Sequence, residues 1–165
     1  MLGRAAMYLR NCFWLIVPVL AFDLLFTGRL PAQFQMENFW RDIPAFVGVP
    51  ENIFRTVVLV LPVLMPLDVV SARQRAGLAL YLAGIAVYLA AWVALIACPD
   101  SGWSLSAAGQ LAPAYTPALW LGGIGLVGGR LFVARIPYRY WMYLALSAVF
   151  LVFHVTHTAI VFARG

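Results

Sequence analysis

The sequence predicts an all-α membrane protein, a polytopic bundle of about five transmembrane helices. Three observations carry this. Of 165 residues, 64% are hydrophobic and only 10% charged, against roughly 25% charged in a soluble domain. The mean hydropathy is +0.91. The apolar residues also fall into runs close to the roughly 20 residues that a crossing helix needs. The chain therefore reads as a single transmembrane helical domain over residues 1–165.

The first run, Asn11 to Thr27, follows Arg4 and Arg10. It is too long for a signal peptide and lacks a small-residue cleavage site, so it is read as a retained span. The second run extends from Ile53 to Val70 and contains Pro62 and Pro66. Each proline removes a backbone donor, so the Val58 and Pro62 carbonyls should lose their helical partners and could line a cavity. Pro18 should do the same in the first span. The third run, Leu78 to Ala97, is rich in Ala and Leu, with Tyr81, Tyr88 and Trp92, and reads as a packing helix. The fourth, Thr116 to Val133, carries Gly125 and Gly129 in a GxxxG spacing. That spacing permits close backbone approach, inside the bundle or across a homo-oligomer face. The fifth, Tyr140 to Phe162, holds both histidines of the chain.

Orientation follows from the arginines, which are all 11 of the basic residues. With the N-terminus inside, Arg4, Arg10, Arg73, Arg75, Arg130, Arg135 and Arg139 are cytoplasmic. Arg29, Arg41, Arg55 and Arg164 are then outside, an N-in, C-out arrangement by the positive-inside rule. The expected location is a bacterial inner membrane, with the lipid bilayer as the obligatory partner. The arginines are scattered, with no basic, aromatic-interleaved patch for nucleic acid.

Two connections stand on the outer side. Gly28 to Asn52 mixes Phe34, Met36, Phe39, Trp40 and Phe46 with Glu37, Arg41 and Asp42. It reads as a partly interfacial segment, either a short amphipathic helix broken at Pro44 or a plain loop. Cys98 to Tyr115 reads as simple connection. Cys12 and Cys98 are isolated, with no C-x-x-C spacing for a thiol relay.

The chemistry concentrates on the last span. His154 and His157 are three residues apart, on one helical face. With Ser147, Thr158 and Val161 they form a stripe that should face protein or a cavity rather than lipid. By a rise of 1.5 Å per residue, Asp23, His154 and His157 all lie roughly 4–9 Å outside the midplane. Asp23 should be paired with Arg29 or Arg55, bonded to a histidine, or protonated. Asp68, at the cytoplasmic end, should be reached by Arg73 and Arg75.

Three readings of the cluster follow. In the leading one, Asp23, His154 and His157 are acid–base residues of an outward-facing pocket for a lipophilic small molecule. Glu37, Arg41, Asp42, Glu51 and Arg55 then form its mouth. The second is proton, ion or transition-metal transport, or haem or metal binding, although H-x-x-H with one acid supplies few ligands. The third is a structural or assembly subunit whose histidines only lock the bundle. No metal site or cofactor is assigned. No G-x-S-x-G elbow or H-E-x-x-H motif is present.

Overall fold

A computed structural model describes residues 9–133 and 137–164. Arg4 and Arg135, used above for orientation, lie outside the described residues. The described chain is all-helical, and no strand occurs in it. Its helices are α1 (Val17–Phe26), α2 (Met36–Phe39), α3 (Ala45–Val60), α4 (Ala72–Ala97), α5 (Gly102–Leu105), α6 (Ala107–Tyr115), α7 (Pro117–Val127) and α8 (Tyr140–Phe162). Among the described residues three stretches are long and apolar enough to cross a membrane: Ala45–Leu64, Ala72–Ala97 and Tyr140–Phe162. They mark the chain as a membrane protein.

The last of these has the predicted bounds. The others differ for local reasons. Helix α1 begins only at Val17, after a 3-10 turn over Cys12–Leu15. Pro18 therefore stands in the first helical turn, where its missing N–H removes no helical bond. The residues before the turn run beside the end of the proline-rich segment instead: Cys12 N–H donates to the Met65 carbonyl (2.8 Å) and Leu67 N–H to that of Arg10 (3.0 Å).

Helix α3 begins at Ala45, not Ile53. Pro44 is its N-cap rather than a breaker, and Pro50 lies inside the helix, where it gives the Phe46 carbonyl no N–H. At the other end Pro62 tightens the helix into a 3-10 turn over Leu61–Leu64. The two carbonyls expected to be freed here, those of Val58 and Pro62, are satisfied. Tyr143 Oη donates to the Val58 carbonyl (3.0 Å), and Met65 N–H to that of Pro62 (3.1 Å).

Helix α4 starts at a capping box, in which Ser71 and Gln74 satisfy each other's backbone donors. The stretch expected as plain connection contains α5 and α6, each opened by a serine cap, Ser101 and Ser106. Helix α7 follows α6 across Thr116 and stops at Val127, since Gly128 leaves helical geometry.

Helix α4 packs along α7, and α3 packs along α8, which also touches α6 and α7. The first contact is a backbone-to-backbone approach. A Cβ on Gly84 would lie 2.5 Å from the Trp120 nitrogen, and one on Gly123 2.5 Å from the Tyr81 nitrogen. The GxxxG pair is likewise covered within the chain. Gly125 faces Leu144 and Tyr143, and Gly129, past the helix end, faces Arg73. Asp68 pairs with Arg130 (2.9 Å) rather than with Arg73 or Arg75. Arg73 donates to the Leu126 carbonyl and Arg75 to that of Val70.

Candidate functional site

The stripe on α8 faces protein as its spacing requires. Ser147, His157, Thr158 and Val161 are buried, and His154 is partly so. The carboxylate that meets the imidazoles belongs to Glu51 on α3. Because α3 starts at Ala45, Glu51 lies inside a helix that packs on α8, not at a loop-borne mouth. It is 0% exposed.

Glu51 gathers three partners. His154 Nδ1 lies 2.8 Å from Oε1. His157 Nδ1 contacts Oε2. Arg55, one turn along α3, donates to Oε1. The Arg55 guanidinium also stands over the Trp40 ring, 5.2 Å from its centroid, a favourable cation–π placement. His157, 0% exposed, is fixed at its other nitrogen, since Nε2 lies 2.8 Å from the Phe39 carbonyl. Its ring stacks on Phe39 (4.0 Å between centroids) and meets Trp40 edge-on (4.6 Å). His154 stacks on Phe150 (5.1 Å).

These partners fix where protons stand. The Phe39 carbonyl can only accept, so His157 Nε2 carries hydrogen. The contact between His157 Nδ1 and Glu51 Oε2 then needs a further proton, either on the imidazole or on the carboxyl. The pair thus holds one proton more than a neutral histidine beside a carboxylate. Oε1 already accepts from Arg55, so the hydrogen facing His154 belongs to Nδ1. A neutral His154 is then protonated at Nδ1, and its Nε2 is an acceptor with no hydrogen-bond partner among the described residues.

His154 lines a cavity of about 390 Å³, within the range of small-molecule sites, about 300–1,000 Å³. The walls are mostly apolar and aromatic: Phe34, Phe39, Trp40, Trp92, Trp120 and Phe150, with Val19, Val58 and Leu59. Its polar residues include Asp23, Arg55, Tyr88 and Thr158. Leu20, Thr27 and Met36 line it too and are exposed, so the cavity opens between α1 and the segment that follows. His157 is not a wall residue; it sits behind Glu51.

Asp23 reaches the same cavity but not the histidines. Tyr88 Oη on α4 donates to its Oδ1 (3.0 Å), and Arg55 is within electrostatic reach. Of the residues expected at the mouth, only Arg55 lines the cavity. Glu37, Arg41 and Asp42 are exposed and are not wall residues. The segment of Arg41 and Asp42 is tied to the end of α8 instead. Arg164 donates to both backbone carbonyls, 2.7 Å to that of Asp42, which has a left-handed φ of 50°.

In sequence Tyr88 and Trp92 read as packing residues, and nothing there assigns the Phe39 carbonyl a role. Tyr88 was findable as a buried hydroxyl on an apolar helix. Among the described residues no group of three or more His, Cys, Asp or Glu side chains is arranged to hold a metal ion. No protein-family model matches the chain, and no curated protein or solved structure matches it.

Proposed function

We propose that this chain binds a lipophilic small molecule in the cavity between α1, α3, α4 and α8, and acts on its polar group by acid–base chemistry. His154, a residue of a mostly apolar wall whose Nε2 has no hydrogen-bond partner among the described residues, is the observation that carries the reading. Glu51 orients that imidazole and stabilises it when it gains a proton. The step is a proton leaving the bound molecule for Nε2, while Nδ1–H stays on Glu51 Oε1. Arg55 and Asp23 set the charge around the reacting group.

The setting supports this. The exposed rim at Leu20 adjoins Leu24 and Leu25, both exposed on α1, so a lipophile could enter sideways from the bilayer. Five membrane segments, with α1 and the α6–α7 pair joining the three long helices, and an N-in, C-out orientation in a bacterial inner membrane complete the reading. On that orientation the cavity faces outward.

The test is mass spectrometry of solvent extracts from protein purified in mild detergent. A lipophilic species should co-purify with the parent chain and be depleted in Ala114→Phe, which fills the cavity, and in His154→Ala. Equal recovery from all three proteins would remove the cavity from the account.

A further inference from the structure

Resting on that reading, we infer that the ligand is a neutral lipophile whose head is a hydroxyl, an alcohol or a phenol. The open hydrogen-bonding atoms of the wall residues decide the head group, and the Trp120 indole N–H, a buried donor without a partner among the described residues, is one of them. His154, neutral in its largely apolar surroundings, has Nε2 as an acceptor, because Glu51 Oε1 takes the ring's hydrogen at Nδ1. Asp23 has one oxygen left, since the other already accepts from Tyr88. Arg55 lines the same cavity and has N–H groups beyond the one given to Glu51. An acceptor and a donor on one cavity suit a single atom that does both. A hydroxyl donates its hydrogen to Nε2 and accepts from the guanidinium.

Charge points the same way. Arg55 contributes one positive charge. The Glu51–His157 pair, with its shared proton, contributes none. Asp23, accepting from Tyr88 and near Arg55, supplies the balancing negative charge when ionised. The empty site is then neutral. An ammonium head would meet the Arg55 cation, and a carboxylate head would face the lone pair of Nε2 and the Asp23 carboxylate. An ether would leave Nε2 unpaired, and an unpaired buried polar atom weakens binding.

The experiment titrates the full chain in phosphatidylcholine nanodiscs with four probes sharing one tail: 4-octylphenol, 4-octylanisole, 4-octylbenzylamine and 4-octylbenzoate. Tryptophan fluorescence is the readout, since Trp40, Trp92 and Trp120 line the cavity. The phenol should bind about tenfold tighter than the anisole, the usual scale for one buried hydrogen bond lost. His154→Ala should bring that ratio close to one. His154→Phe, which keeps a ring against Phe150, should do the same where Ala does not fold. If phenol and anisole bind alike, or the amine or carboxylate binds best, the hydroxyl inference is overturned while the lipophilic cavity stands. If none of the four binds, the cavity reading falls as well.

Discussion

Substituting Glu51 separates the proton arrangement from mere packing. In Glu51→Ala, Arg55, His154 and His157 lose their common acceptor inside the bundle. Removing one member of a buried ionic cluster costs about 3–5 kcal/mol. That corresponds to about 6–20 °C in Tm, at about 2–4 °C per kcal/mol for a chain of this length. Glu51→Gln should behave differently. The amide oxygen can accept from Arg55 and His154, while the amide N–H can donate to His157 Nδ1. His157 is then neutral, with Nε2–H still on the Phe39 carbonyl, and no proton needs to be shared. Only charge assistance is lost, and Arg55, partly exposed with Asp23 nearby, is not stranded. The expected cost is about 1–2 kcal/mol. Thermal unfolding in detergent, followed by tryptophan fluorescence, reads both variants. Glu51→Gln falling as far as Glu51→Ala would refute the proton count. An unchanged Tm in Glu51→Ala would refute the cluster itself.

Other outcomes follow from the same coordinates. Tyr143→Phe should lower stability by about 1–3 kcal/mol, because the Val58 carbonyl that Pro62 leaves unpaired would have no donor; denaturant or thermal unfolding checks it. Gly84→Leu should abolish recovery of folded protein, since even a Cβ there would lie 2.5 Å from the Trp120 nitrogen; monodisperse elution in detergent would contradict it. In intact cells an impermeant maleimide should label Cys98, which is exposed, and spare Cys12, which is buried. Labelling of Cys98 only from the cytoplasmic side would reverse the orientation.

Composition and apolar runs suffice to read a helical membrane bundle, and Tyr140 to Phe162 was readable to its ends because nothing interrupts it. Proline placement was harder. Pro44 and Pro18 look like breaks in a linear reading, yet both stand at helix starts, where a missing N–H is harmless. That shift moves Glu51 from a loop to a buried helical position, and it explains why the histidines' acid was sought at Asp23. Depth along a helix axis could bring Asp23 level with the imidazoles. It could not say which way each helix is turned, and rotation decides that Asp23 meets Tyr88 while Glu51 meets α8. The two small helices before α7 stayed hidden because Ser101 and Ser106 read equally well as loop residues until the turns that they cap are seen.

The most direct measurement of the central claim uses the two histidines as the only imidazole signals. Nitrogen-15 NMR of histidine-labelled protein in nanodiscs, assigned with His154→Phe, should show one ring with a bare nitrogen that takes no hydrogen bond and one whose second nitrogen shares a proton with Glu51. Adding 4-octylphenol should move the bare nitrogen's resonance and leave the other ring in place. Two rings each with a free, unbonded nitrogen, or a bare His154 nitrogen indifferent to every lipophile offered, would contradict the account.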